Sequence, residues 1–82
     1  MDQLTEIMAC KAGAAAYKAG KERAPALNQS FTAQVCTSDV DTTILLTQYI
    51  HGWTVARAAR IAIEVGMHDM PSIRELAAIE AA

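Results

Sequence analysis

The sequence predicts an all-α domain, an antiparallel helical hairpin with a short connecting helix and a short C-terminal helix. Three observations predict it. Small residues recur at helical spacing in two separate stretches, Ala9, Gly13, Ala16 and Gly20, then Gly52, Ala56, Ala59 and Ile63. Each set runs i, i+4, i+7, i+11, which places it on one helix face. Large apolar residues keep the same period, with Leu45, Tyr49, Trp53 and Ala56 on a common face. The breaks between these stretches fall at Pro25, at "TSDVD" and at Gly66, residue types that stop or cap helices.

The first helix is expected over residues 2 to 23. Asp2 suits its N-cap and Glu6 its first turn, where negative charge complements the helix dipole. Two glycines inside one helix cost about 1 kcal/mol each relative to alanine, and close approach of another backbone would offset that cost. Lys11, Lys18 and Glu22 share a solvent-facing sector, with Lys18 placed to pair with Glu22. Pro25 then ends the helix and biases Ala24 toward an extended backbone. A short helix over 29 to 36 follows, with Asn28 as cap and Phe31 and Val35 on one side.

Ser38 or Asp41 would start the next helix, over 41 to 65. The β-branched run "TTI" at its start lowers helix propensity and leaves a strand there as the alternative. Gly66 reads as the residue after its C-cap, with Met67 folding back toward Ala62. The last helix lies within "MHDMPSIRELAAIEAA". Asp69 would cap it with Pro71 in the first turn, or Ser72 would cap it with Glu75 closing a capping box. The two small-residue stripes, Gly13, Ala16 and Gly20 against Gly52, Ala56 and Ala59, are expected to meet at the helix crossing, with Tyr17 and Trp53 covering it.

An 82-residue chain makes one domain, and 52% of it is apolar, much of that alanine. So small a core is often completed by a second copy, and a homodimer is among the expected assemblies. The net charge is -2. Lys11, Lys18, Lys21 and Arg23 make the first part slightly basic, while Asp39, Asp41, Glu64, Asp69, Glu75 and Glu80 make the rest acidic. This balance argues against general nucleic-acid binding, which rests on clustered Lys and Arg. No secretory leader and no apolar run of membrane-spanning length is read, so a cytoplasmic location with reduced Cys10 and Cys36 is expected. Both cysteines are expected to be small buried hydrophobes.

The blocks Gly13, Ala16, Tyr17, Ala19, Gly20, Lys21, Arg23 and Tyr49, Ile50, His51, Gly52, Trp53, Ala56 resemble the ribosome modulation factor family and its small phage and prophage relatives. The resemblance covers less than half of the chain. It implies a helical hairpin and, in the family's hibernation members, docking on ribosomal RNA. Only Lys21, Arg23 and Trp53 match positions to which that docking would transfer. This chain departs from the pattern by its acidic balance, by Ala26 where a cysteine is usual, by a longer insert between the blocks and by a final helix. What the resemblance implies here is the hairpin more than the RNA contact.

The residues that could bear function are weighed against ordinary structural roles. Lys18, Lys21 and Arg23 form the one local basic patch, suited to a phosphate or an acidic surface, or simply to the negative end of a helix. Arg57 and Arg60 could grip a partner, but Glu64 stands at i+4 from Arg60 and favours a local pair. His51 and His68 have no second ligand at metal-binding spacing, and Cys36 with His51 lacks an orienting third group. No metal, cofactor or catalytic residue is therefore expected. A helix-turn-helix ending in "SIRELAAIEAA" would carry one cation, Arg74, against Glu75 and Glu80, a poor reader of DNA. Trp53 beside Arg57 would be an interface anchor if exposed.

The expected function is a small non-enzymatic cytosolic binding protein, of the phage or prophage accessory type. It would bind and modulate or inhibit a host protein or complex through Lys18, Lys21, Arg23, Arg57 and Trp53. The alternatives are a ribosome-associated modulator and a helix-turn-helix DNA-binding regulator. The phage setting follows from the resemblance alone.

Overall fold

The computed structural model describes residues 5–21 and 28–82. It holds four helices, α1 (Glu6–Lys18), α2 (Gln29–Thr37), α3 (Thr42–Glu64) and α4 (Pro71–Ala81), and no strand among the described residues. The fold is all-α. The "TTI" run lies in the first turn of α3, where Asp41 caps it by accepting from the Thr43 N–H at 2.8 Å.

α1 is shorter than its spacing predicts. Thr5 caps it, its hydroxyl accepting from the Met8 N–H at 3.2 Å, and Glu6 occupies the first turn. Asp2, the expected cap, lies outside the described residues, as do Glu22, Arg23 and Pro25. The helix closes at Gly20, which has φ +77°. The Gly20 N–H donates to the Tyr17 carbonyl at 3.0 Å and the Lys21 N–H to the Ala16 carbonyl at 2.9 Å. These paired bonds satisfy the last carbonyls and need a left-handed residue, which glycine supplies without steric cost.

Gly20 is therefore a helix terminator and not part of the crossing. A Cβ built on it meets nothing within 4 Å. Gly20→Ala should cost about 1–2 kcal/mol through the left-handed backbone alone, as read from the urea midpoint. Gly20→Leu should cost no more than Gly20→Ala. A much larger loss for leucine would return Gly20 to a packed site.

Gly13 and Gly52 do form the crossing. A Cβ on Gly13 would lie 1.9 Å from the Tyr49 carbonyl oxygen, and one on Gly52 would lie 1.9 Å from the Cys10 carbonyl oxygen. Each helix thus presses its glycine onto the other's backbone. Around this point Ala9, Ala14, Ala16, Ala56 and Ala59 are buried. The alanine-rich composition is what lets two helices approach so closely. The contact offsets the low helix propensity of the glycines, because backbone-to-backbone packing recovers dispersion contacts that a larger residue would hold apart.

The two helices run in the same direction, where opposed helices were expected. Glu6, Ile7 and Cys10 share a groove with Gln48 and His51, while Tyr17 and Lys18 share another with Ala56, Arg60 and Ile63. The early part of α1 thus lies by the early part of α3, and late by late. α4 runs opposite to both, with Ala78, Ile79 and Ala82 in the first groove and Leu76 in the second. The antiparallel hairpin is the α3–α4 pair. A connector as long as the one between α1 and α3 can carry the chain back across the molecule, so no short-loop rule forces the first pair to oppose.

α2 plugs one side of the crossing. Asn28 caps it through Oδ1, which accepts from the Phe31 N–H at 3.2 Å, and its Nδ2 donates to the Tyr49 hydroxyl at 3.1 Å. Phe31 and Val35 are buried, and the Phe31 and Tyr49 rings lie 4.4 Å apart at 46°. Leu45 and Tyr49 are fully enclosed and form the centre of the core. α3 closes at Gly66, φ +81°, with the Met67 N–H donating to the Ala62 carbonyl at 2.8 Å as its sequence predicts.

α4 docks more lightly. None of its residues is buried. Its N-cap is Met70, without a side-chain bond, and Pro71 takes the first helical position. Asp69 and Ser72 are not its caps. The Ser72 hydroxyl is buried and bonds to nothing among the described residues. Two cations of α1 reach across instead. Lys18 Nζ lies 2.6 Å from Glu80 Oε2, and Lys11 Nζ donates to the Ala82 carbonyl at 2.8 Å. The Lys18–Glu80 pair is exposed and contributes less than about 1 kcal/mol.

Candidate functional site

The aromatic residues that the sequence places near the crossing meet at its C-terminal end. Tyr17 on α1 turns its ring edge to Trp53 on α3, centroids 5.1 Å apart and planes at 89°. Edge-to-face geometry suits the ring quadrupoles. The Trp53 Nε1–H donates to the Lys21 carbonyl at 3.0 Å. Lys21 is itself fixed by the helix-closing bond to Ala16. The indole is thus held from two sides, by α1 and by the turn that ends it. Arg57, one turn further along α3, lays its guanidinium 5.9 Å from the indole centroid, at the outer reach of a cation–π contact.

Beside this cluster an open groove of about 450 Å³ runs between α1, α3 and α4, lined by Tyr17, Lys18, Ala56, Arg60, Ile63, Glu64 and Leu76. Its floor is apolar and its rim is charged. Arg60 Nε pairs with Glu64 Oε1 at 3.1 Å within α3, the local pairing their spacing predicts. Ile63, which closes the second small-residue stripe, and Leu76 line the groove although neither was read as a binding residue. Their signal was only apolar helical spacing, which marks a core position as readily as a rim.

The basic residues divide. Lys18 pairs with Glu80 on α4, and Lys21 is exposed. Arg23 lies outside the described residues. Lys18 was expected to pair with Glu22, also outside them. Its observed partner, sixty-two residues away in sequence, was not visible to a local rule. Trp53 is half-buried and Arg57 exposed, whereas Tyr49 is fully enclosed and belongs to the core.

His51 and His68 are exposed, and no group of three metal-ligating side chains occurs among the described residues. The cysteines differ from each other. Cys10 is buried as expected, and burial pushes its thiol above the ordinary value of 9.0. Cys36 is exposed near the end of α2, because Phe31 and Val35 take that helix's inner face and Cys36 falls off it. At neutral pH, iodoacetamide should therefore label Cys36 alone in the folded protein and both thiols in urea, read by intact mass. A raised folded-state value means that the fold prefers the protonated Cys10 thiol. Stability should hold below about pH 9 and fall as the pH rises through the folded value. Cys10→Ala should remove that alkaline loss.

No helix among the described residues is long and apolar enough to cross a membrane. No family model matches the chain, and neither a curated protein nor a solved structure matches it.

Proposed function

We propose that this protein is a small non-enzymatic binding protein that acts in the cytoplasm by occupying a site on a host protein or complex. One observation carries the reading: Trp53, pinned by Tyr17 and the Lys21 carbonyl, stands half-buried under Arg57, and the same Tyr17 lines a groove between Ala56, Ile63 and Leu76 with charged residues at its edge. Trp, Tyr and Arg are the residue types that dominate binding energy at protein interfaces, most of all where apolar surface has a polar rim. A rigid indole loses little conformational entropy on binding, so a contact there converts efficiently into affinity. The mode of action is steric, and the role is that of an accessory factor or inhibitor of the phage type.

The ribosome-bound alternative needs Lys18, Lys21 and Arg23 to act together on phosphate. The ion pair of Lys18 with Glu80 weakens it. The DNA-binding alternative rests on Arg74, which lies near the start of α4 and contacts the Asp69 carbonyl at 3.4 Å.

A tagged pull-down from bacterial lysate, with and without nuclease, separates these readings. The proposal expects one host protein retained after nuclease, and loss of that protein from the Arg57→Asp variant. Ribosomal proteins that vanish with nuclease would replace it with the ribosome reading. Retention of the same protein by Arg57→Asp would move the interface away from Trp53.

A further inference from the structure

What docks α4 is separable from what folds the rest of the chain. No residue of α4 is buried, and its apolar side, Ile73, Leu76 and Ile79, is only half-covered. The core cluster around Leu45, Tyr49 and Phe31 draws on α1, α2, α3 and the loop before α3, and on no residue of α4. Elements joined by so few buried apolar contacts open locally before the whole molecule unfolds.

Docking also leaves a polar group without a partner. The Ser72 hydroxyl is buried at the start of α4 and bonds to nothing among the described residues. Opening returns it to water, so the open form regains hydrogen bonds that the closed form lacks. The polar ties that oppose opening stand at the other end of the helix. Lys18 Nζ meets Glu80 Oε2 at 2.6 Å, and Lys11 Nζ donates to the Ala82 carbonyl at 2.8 Å. The Lys18 and Glu80 side chains are 54% and 44% accessible, so dissolved ions reach the pair and screen it.

The joint is also present. Residues 65–70 are all exposed, and Gly66 takes φ +81°. Rotation about this turn moves α4 without disturbing a packed side chain. α4 roofs the seam between α1 and α3. Its Ala78 and Ile79 bound the groove that holds Ile7 and Cys10, and its Leu76 bounds the groove that holds Tyr17 and Ile63. With α4 lifted, the two grooves join into one trough along the seam. Opening thus changes the surface that the chain presents.

We propose that α4 is a strap that opens as a unit about Gly66 while the α1–α3 crossing and α2 stay folded, and that the Lys18–Glu80 tie governs how often it opens. The strap does not rest on the host-binding reading, so a failed pull-down leaves it intact. Native-state hydrogen exchange of the full chain, followed residue by residue by NMR in sub-denaturing urea, tests it. The amides from Glu75 to Ala81 are expected to exchange through one shared opening. That opening should have a smaller urea slope than the one that frees Tyr49, Val55 and Ala59, and should occur at least tenfold more often. Glu80→Lys, which sets a second cation opposite Lys18, should raise it several-fold and leave Tyr49, Val55 and Ala59 unchanged. Ser72→Ala should lower it. An α4 that exchanges together with α3 at the same urea slope overturns the proposal. So does a graded rise in exchange from Glu75 to Ala81, which is fraying from the end, or an opening that Glu80→Lys or Ser72→Ala leaves unchanged.

Discussion

Gly13→Ala and Gly52→Ala should each unfold the protein at markedly lower temperature, although alanine is the better helix former. The gain in propensity is about 1 kcal/mol. Against it stands a methyl group placed 1.9 Å from a backbone carbonyl oxygen, Tyr49 in one case and Cys10 in the other. A side chain could rotate away, but a helix backbone has to translate, and α1 and α3 would then part along the whole crossing. Overpacking of this kind costs about 1–3 kcal/mol where side chains yield, and more where backbone must move. A net loss of about 2 kcal/mol or more follows, and for a domain of this size each 1 kcal/mol lowers the melting temperature by about 4–8 °C. Differential scanning calorimetry reads this directly. A rise in melting temperature at either position would mean that the helices do not touch there.

Truncation of Tyr49 should be the most damaging change to the core, at about 3–5 kcal/mol for Tyr49→Ala. The ring is fully enclosed, stacks on Phe31 and receives the Asn28 amide on its hydroxyl. Tyr49→Ala therefore opens a cavity and unties α2 together. Tyr49→Phe keeps the packing and removes only the hydroxyl, at a cost of about 1 kcal/mol. Denaturant melts of the two variants separate these contributions. If phenylalanine cost as much as alanine, the hydrogen bond and not the packing would be what fastens α2.

Much of this fold was legible in the sequence because its determinants are local. Asn28 and Asp41 cap where their positions indicate, Gly66 closes α3, and Arg60 pairs with Glu64 one turn away. The spacing of Gly13, Ala16, Gly52, Ala56 and Ala59 also placed the crossing, since only small residues permit backbone contact. Gly20 misled because it falls in phase with that stripe while doing a different job. Periodicity cannot distinguish a glycine that admits a neighbour from one that ends the helix. The relative direction of α1 and α3 depends on how residues 19–41 return, which no local rule states. The α1–α4 bridges, Lys18 to Glu80 and Lys11 to Ala82, are likewise long-range.

The candidate site was legible in part for the same reason. Trp53 and Arg57 are one turn apart on a single helix, so their contact follows from spacing. The tie from the Trp53 indole to the Lys21 carbonyl depends on where α1 stops, and the groove beside it on which way α4 returns. Both are properties of the assembled fold. The Tyr17–Trp53 contact forms at the end of the α1–α3 contact, so the site depends on how those helices cross.

A nuclear Overhauser spectrum of the labelled protein tests that dependence most directly. Contacts from the Tyr17 ring to Trp53 and Ala56, together with contacts from Gly13 Hα to Tyr49 and Gly52, are the expected result. Contacts from the Tyr17 ring to Leu45 or Gln48 without any to Ala56 would mean opposed helices, and would contradict both the crossing and the site built on it.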